Sequence, residues 1–331
     1  MQGLFIGSFN PVHNGHIEVI KFALTKVEKL TVLFCYEPDE KIPAILSNGT
    51  PMERGQWLQA ICREIGEGRI QIEEVCEPTL SYSKKSSRTV SKAWADYILQ
   101  RFGHFDSIFG SEKYVKYLAE YMDCTAEVFD IQRLKVPVSS TLIRNEPFKY
   151  WEHMPPSVRP HFVKKICFFG SESTGKSTMA TMMAEHYQTE WVPEMARDVL
   201  GERVCTFEDI SQIAYTQTGE VLRKALTANK ILFCDSDLII TELYSHIYFK
   251  DCPQIVLDLQ KVIHYDLYLF FEIDVPWVAD GVRDLGDPDV RPRMRDFFRN
   301  ALIERHIPFI TISGNWEERK AKVIAAVESL M

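Results

Sequence analysis

A chain of 331 residues, 46% of them hydrophobic and 25% charged, is long enough for two ordinary globular domains, each with its own core. Its net charge of −8 excludes the broad basic face that non-specific nucleic-acid binding needs, because that affinity comes from neutralising phosphates. Any anionic ligand must be held by local devices. The start, Met1-Gln2-Gly3-Leu4-Phe5-Ile6, lacks the basic and apolar stretches of a secretory leader. No later apolar run approaches the ~20 residues that span a bilayer. The expectation is a soluble, cytoplasmic protein with no integral membrane segment. Its eight cysteines, at 35, 62, 76, 124, 167, 205, 234 and 252, contain no C-x-x-C pair. They read as buried thiols in a reducing compartment, not as a disulfide framework or a zinc site.

From residue 3 to about 145, short β-branched or aromatic runs alternate with helical patterns. The runs at 4–6, 30–36, 69–75, 107–110 and 125–129 predict strands. The first helix between them carries Ile17, Ile20, Ala23, Leu24 and Val27 on one stripe; the second begins at Pro51 and carries Trp57, Leu58, Ile61 and Ile65. Such βα alternation predicts a parallel sheet covered by helices on both faces. Residues 145–160, with Pro147, Pro155, Pro156 and Pro160 around Tyr150-Trp151, break both periods and read as a tethered linker with packed aromatics.

A second alternation follows, with strands expected at 165–169, 191–192, 231–234, 267–273 and near 309–312, a helix from about Gly175 and a long helix over 210–228. There is no internal repeat and no low-complexity tract. The fold class expected is therefore α/β with two different parallel-sheet domains. Residues 1–150 form a Rossmann-like nucleotidyltransferase fold, 151–163 a linker and 164–331 a P-loop NTPase/kinase fold.

The segment Gly7-Ser8-Phe9-Asn10-Pro11-Val12-His13-Asn14-Gly15-His16 leaves the first strand and enters the first helix, which is where open parallel sheets hold ligands. Gly7 and Gly15 permit close backbone approach, the helix N-terminus offers free N–H groups, and His13 and His16 place two donors beside a phosphate. A second segment, Val138-Ser139-Ser140-Thr141-Leu142-Ile143-Arg144, follows the fifth strand. Here Ser140 and Thr141 are expected to cap a helix, with the Arg144 guanidinium on the same face to clamp phosphates. The two segments resemble the paired H-x-G-H and S-S-T-x-x-R motifs of the nucleotidyltransferase superfamily. That resemblance implies that Gly7, Ser8 and Phe9 cradle ATP, that His13 and His16 contact its phosphates, and that Ser140, Thr141 and Arg144 hold the β and γ end. The Ser-, Lys- and Arg-rich stretch 81–92, followed by Trp94, is expected to close over a phosphorylated aromatic acceptor. Trp94 would stack on its ring, with Asn10 as a second acceptor contact.

In the second half, Gly170-Ser171-Glu172-Ser173-Thr174-Gly175-Lys176-Ser177 matches the P-loop pattern, directly after a strand and before an apolar-periodic helix. The ATP contacts expected are Gly170, Ser173, Thr174, Gly175, Lys176, Ser177 and Thr178, with Lys176 on the β and γ phosphates and Ser177 on Mg²⁺. Asp235 ends a neighbouring strand and is the expected Mg²⁺ partner; Asp237 is expected to face substrate. Glu194 and Arg197 follow another strand end, with Glu194 placed to accept a sugar hydroxyl proton and Arg197 to fix an anion. A turn-rich run, Asp280-Gly281-Val282-Arg283 and then Arg291, Arg293 and Arg295, resembles the arginine lid of small-molecule kinases, so Arg283 is expected at ATP.

The order of the two motif sets, joined by Asn145-Glu146-Pro147-Phe148-Lys149-Tyr150-Trp151-Glu152, resembles the bifunctional nicotinamide-nucleotide adenylyltransferase/ribosylnicotinamide kinase family over nearly the whole chain. The resemblance extends to Asp235-Ser236-Asp237, where the family usually has D-T-D, and to the run from Trp277 to Arg283. It implies phosphorylation of nicotinamide riboside to NMN in the second domain and adenylylation of NMN to NAD in the first, with ATP as substrate in both and Mg²⁺ as cofactor. Small molecules are the expected partners (nicotinamide riboside, NMN, ATP and NAD), with no nucleic acid; a homo-oligomer is compatible. Asn10 and Trp94 then become NMN contacts, and Glu194, Arg197 and Asp237 nucleoside contacts. Two features depart from the family pattern. Some members begin with a helix-turn-helix repressor domain, whereas here a strand begins at Gly3, so direct transcriptional control is not expected. The family's serine-serine-glutamate is Gly110-Ser111-Glu112, and the isoleucine of I-S-S-T is Val138. Other readings keep the architecture and change the ligand: a fusion acting on another nucleoside or cofactor precursor, or an NAD- or nucleoside-sensing regulator with little turnover.

Overall fold

The computed structural model describes residues 1–36, 49–76, 88–201, 203–277, 287 and 289–331. The chain divides into two units, Met1–Phe162 and Val163–Met331, each built on its own five-stranded sheet.

The first unit runs β1 (Gln2–Gly7), α1 (Asn14–Leu24), β2 (Lys29–Tyr36), α2 (Pro51–Gly66), β3 (Ile70–Cys76), α3 (Arg88–Phe102), β4 (Ser107–Gly110), α4 (Tyr114–Met122), β5 (Thr125–Val128) and α5 (Ser140–Asn145). Its strands are all parallel, in the order β3-β2-β1-β4-β5. Leu4, Phe5, Val32, Leu33, Phe34, Ile108 and Phe109 are buried. Strands covered on both faces need such near-continuous apolar runs. Chain order reverses between β1 and β4, and that reversal opens a crevice at their C-terminal ends. Helix α2 starts where the sequence dictates: Thr50 accepts the Glu53 N–H at 3.2 Å, Glu53 accepts the Thr50 N–H at 2.7 Å, and Pro51 takes the first helical position.

The stretch expected as a linker packs, as far as Phe162, within this first unit. A 3₁₀ turn at Trp151–His153 and a short helix, α6 (Arg159–Phe162), follow α5. Trp151, Met154 and Val158 are buried, Arg159 lies over the Trp151 ring, and His161 accepts the Gly49 N–H at 3.1 Å.

The second unit runs β6 (Lys164–Phe169), α7 (Lys176–Tyr187), β7 (Trp191–Val192), α8 (Ala196–Leu200), α9 (Phe207–Ala225), β8 (Ile231–Cys234), α10 (Leu238–Phe249), α11 (Gln254–Leu259), β9 (Leu267–Phe271), α12 (Val290–Glu304), β10 (Phe309–Ile312) and α13 (Trp316–Glu328). Its order is β10-β9-β6-β8-β7, again all parallel. Alternate residues of β6 serve the two faces: Ile166 and Phe168 pack with Met179, Met183, Phe233 and Phe271, while Cys167 and Phe169 pack with Leu243, Phe270 and Phe298. Because β6 and β8 are neighbours, the loop after Phe169 and Asp235 emerge side by side.

Three expectations shift. The long helix begins at Phe207, three residues before its expected start, because Thr206 and Asp209 form a capping box. Strand β9 stops at Phe271, two residues early. All eight cysteines are free thiols, but only Cys62, Cys167 and Cys234 are buried and Cys76 is exposed. Among the described residues no helix is long and apolar enough to cross a membrane.

Candidate active sites

In the first unit the chain leaves β1 at Gly7 and doubles back through Phe9, whose backbone is left-handed (φ 48°). The Phe9 ring is 1% exposed and packs against Phe5, His16 and Phe34. It anchors the loop from below, so only its backbone is available to a ligand. A Cβ on Gly7 would meet that ring at 3.1 Å. Arg54, fully buried, donates to the Ser8 carbonyl at 3.0 Å and lies over the Phe34 ring. The His13 and His16 rings stack at 3.8 Å. The His13 N–H donates to His16 Nδ1 at 3.3 Å, which leaves the ring proton of neutral His16 on Nε2. Burial first, and the Arg133 charge second, lower His16 to about 3. Burial, then His16, Arg133 and His153, hold His13 well below its ordinary value. Near pH 7 both imidazoles are therefore neutral, each with one N–H to give.

Opposite them stands α5. Its N-cap is Ser139, extended at φ −143° and accepting the Leu142 N–H at 3.2 Å, which corrects the expectation of Ser140 and Thr141. The helix already begins at Ser140, freeing that hydroxyl to donate to the Pro11 carbonyl at 3.0 Å. Arg144 donates to Thr141 Oγ1 at 3.2 Å and to the Asn10 carbonyl. A cavity of about 390 Å³ brings Gly7, Ser8, His13, His16, Ser140, Thr141 and Arg144 together. Asn10 does not line it, and its Oδ1 is buried without a hydrogen-bond partner among the described residues. Trp94 does not line it either: it packs half-buried against the unit's core, edge-on to Tyr97. Of the stretch expected to close over the acceptor, 81–87 lies outside the described residues.

Sequence reasoning missed Arg133, which lines the same cavity with Glu112. Arg133 sits at φ 53°, 3.6 Å from Glu112 and 3.2 Å from the Val138 carbonyl it donates to. The turn is built by Asp130, which accepts the N–H groups of Leu134, Lys135 and Val136 at 2.8–3.0 Å. Burial opposes, but those three bonds hold the Asp130 carboxyl below its ordinary value. An Asp a few residues before an Arg was the only signal, and many solvated turns share it. Gly110, where the family has serine, has a packing reason: a Cβ there would meet Val115 at 2.6 Å.

In the second unit the P-loop follows β6. Gly170 (φ 139°) would place a Cβ 2.9 Å from the Phe271 carbonyl, and Gly175 (φ 86°) one 2.7 Å from the Trp316 ring. Ser173 is also left-handed (φ 55°), and Thr174 donates to the Ser171 carbonyl at 2.9 Å. Lys176 donates to the Gly170 and Ser171 carbonyls at 2.9 and 2.8 Å. Two arginines rivet the loop from outside. Fully buried Arg319 donates to the carbonyls of Thr174, Glu272 and Gly314 and pairs with Asp274. Arg291 donates to the Ser173 and Val275 carbonyls. Arg293 is exposed, Arg295 pairs with Glu272 and Asp296, and Arg283 lies outside the described residues.

Asp235 is 2% exposed. Burial pushes its carboxyl up to about 7, with Lys176 and Ser177 opposing and Glu194 adding to the rise. Its Oδ1 is buried without a hydrogen-bond partner among the described residues; Ser177 and Thr178 are exposed on the first turn of α7. Asp237, expected to face substrate, is 2% exposed and spends its carboxylate on protein groups. It caps α10 through the Ile240 N–H at 3.1 Å and accepts the Tyr268 hydroxyl at 2.9 Å, and burial raises it to about 6. The reason is local: an Asp immediately before the apolar run of α10 is an N-cap. A cavity of about 150 Å³ is lined by Glu172, Glu194, Arg197, Ser236, Tyr244 and Tyr248, with the two tyrosine rings parallel at 6.0 Å. Tyr244 and Tyr248 were missed, although their i, i+4 spacing on a helix was visible.

This is a nucleotidyltransferase domain followed by a P-loop kinase-like domain. Residues 4–146 match the cytidylyltransferase-like family and residues 165–319 an AAA domain family. Along nearly its whole length the chain is homologous to the NadR proteins. It is 27% identical over 345 residues to the trifunctional NAD biosynthesis/regulator protein NadR of Escherichia coli (strain K12), covering 99% of this chain and 83% of that protein. Half of the chain, 169 residues, is 26% identical to a nicotinamide-nucleotide adenylyltransferase of Thermococcus sibiricus (strain DSM 12597 / MM 739), covering 84% of it. The fold matches a crystal structure of NadR with NAD and AMP-PNP at a TM-score of 0.78 and 19% identity, over 99% of this chain and 95% of that one. A NadR structure with NR matches at 0.77 and 20% identity, with the same coverage.

Proposed function

We propose that the chain is a two-headed enzyme of NAD salvage. Its second unit phosphorylates nicotinamide riboside with ATP, giving NMN and ADP; its first unit joins NMN to ATP, giving NAD and pyrophosphate. The observation that carries this reading is the pairing, in one chain homologous to NadR over 99% of its length, of the His13–His16–Arg144 cavity with a P-loop beside a pocket of carboxylates and tyrosines.

In the first unit the NMN phosphate, largely dianionic near pH 7, attacks the α-phosphorus of ATP and needs no general base. What it needs is dispersal of charge on the transferring and leaving groups. The neutral imidazoles of His13 and His16 donate N–H groups to the phosphates. Arg144 exchanges the Asn10 carbonyl for the β and γ phosphates, with Ser140 and Thr141 beside it. The backbone of Gly7, Ser8 and Phe9 cradles the nucleotide, and Asn10, with its orphaned Oδ1, is an NMN contact.

In the second unit Lys176 leaves the loop carbonyls for the β and γ phosphates, while the backbone N–H groups of residues 173–178 wrap them. A hydroxyl nucleophile gains from a base, and Glu194 accepts its proton. Arg197 fixes the substrate's polar end. The parallel tyrosines, with Glu172 and Glu194 near them, suit a cationic pyridinium ring. Asp235 and Ser177 fit a divalent cation: an orphaned carboxylate oxygen beside an exposed hydroxyl. Mg²⁺ held there would offset the charge of the phosphates. The ligands are small molecules, and a cytoplasmic location fits eight free thiols.

The test supplies NMN with ATP in one reaction and nicotinamide riboside with ATP in another. NAD plus pyrophosphate is expected from the first and NMN plus ADP from the kinase step of the second. Consumption of neither acceptor would refute the reading.

A further inference from the structure

Gln217, midway along α9, is 2% exposed and borders the cavity formed by Glu194, Ser236 and Tyr244. Its Oε1 accepts the Met195 N–H at 2.9 Å. Only the oxygen of an amide can meet a backbone N–H, so this bond fixes which end is which, and Nε2 must present its two donors elsewhere. Nε2 is buried and has no acceptor among the described residues. An orphaned buried donor carries a desolvation cost. Leucine on the same helix face, among Ile210, Ile213, Ala214 and Val221, would avoid that cost. Met195 lies between Glu194 and Ala196, both in the wall of the cavity, so the amide sits at that wall. Gln217 also borders a cavity of about 670 Å³. There Asp237 accepts the Tyr268 hydroxyl, and Gln260 and Arg305 are held by Glu242, which does not line it; His264 and His306 line it too.

We propose that Gln217 reads the base of the nucleoside, its Nε2 donating to the carbonyl oxygen of a carboxamide carried on the pyridinium ring. The assignment rests on the kinase reading above and makes Gln217 a specificity-determining residue with no part in phosphoryl transfer. A fixed buried donor rejects a ligand that lacks the acceptor, because the donor is then left unpaired.

The probe is 1-β-D-ribosylpyridinium, which keeps the ribose and the positive charge of nicotinamide riboside and lacks only the carboxamide. The full wild-type chain is expected to favour nicotinamide riboside over the probe by about 10- to 100-fold in kcat/KM. Gln217→Met is expected to shrink that ratio to within about threefold, through loss on nicotinamide riboside alone. The ratio compares two substrates on one preparation, so partial unfolding of the variant leaves it unchanged. Equal use of both substrates by the wild-type chain, which needs no variant to observe, would overturn the proposal. So would a Gln217→Met variant that keeps the full preference. A wild-type chain that phosphorylates neither would overturn the kinase reading instead.

Discussion

The two loops proposed to handle phosphate meet the same electrostatic demand with different parts. In the first unit the donors are side chains: two stacked imidazoles, hydroxyls on α5, and the guanidinia of Arg133 and Arg144. In the second the donors are mainly backbone N–H groups, shaped by Gly170, Ser173 and Gly175 at positive φ and held from behind by Arg291 and Arg319. Both loops keep their cation on a carbonyl, Arg144 on that of Asn10 and Lys176 on those of Gly170 and Ser171. The comparison teaches where each site is vulnerable. The first depends on which side chains project into the cavity, and the second on whether the backbone holds its shape.

The sharpest way to break the comparison is Lys176→Ala, the one side chain the backbone cradle cannot replace. Kinase kcat/KM should fall by about 10³-fold or more while adenylylation of NMN stays within about twofold. Arg319→Met attacks the cradle from behind. It takes a donor from three carbonyls and the ion-pair partner from Asp274, and calorimetry should show the second unit losing about 3–5 kcal/mol. His16→Ala should lower adenylylation by about 10²- to 10³-fold with the kinase rate unchanged. Equal loss in both activities would dissolve the distinction between the sites.

Asp235→Asn separates stability from activity. The carboxyl is raised in the fold to about 7, so the folded state binds the proton more tightly than the unfolded chain. The associated stability is lost as pH rises through that value. At pH 8 the variant should therefore be more stable than wild type by about 1–3 kcal/mol in the absence of nucleotide, and inactive as a kinase. His16 gives the opposite slope. Its value is lowered to about 3, so the unfolded chain takes up the proton first, and the first unit should lose stability as pH falls from about 6.5. His16 should contribute no more than about 1.4 kcal/mol per pH unit, with His13, also held low, adding its own share, so His16→Gln should reduce the slope in a melting series without abolishing it.

What was legible in the sequence was whatever a short stretch decides by itself. The strand runs, the loop from Gly7 to His16 and the P-loop each combine local backbone chemistry with their own donors. The parts that were not legible depend on partners brought from elsewhere. Arg133 matters because a turn set by Asp130 aims it at histidines over a hundred positions earlier. Gln217 matters because Met195 holds one end of its amide. Asp237 shows a local signal passed over in favour of a functional one: the residue before Leu238-Ile239-Ile240 had to satisfy a helix N-terminus. Ser139 shows the precision of such reading, one residue off, because either serine could cap and only the extended backbone at Ser139 decides.

The central claim is that two different sites in one chain act on successive substrates. Its most direct test follows products from nicotinamide riboside, ATP and Mg²⁺ with wild type, His16→Ala and Lys176→Ala side by side. Wild type should form NAD and His16→Ala should stop at NMN. Lys176→Ala should form neither from the riboside, yet still convert added NMN to NAD. If His16→Ala makes NAD at the wild-type rate, or Lys176→Ala still phosphorylates the riboside, the two sites do not divide the chemistry in this way.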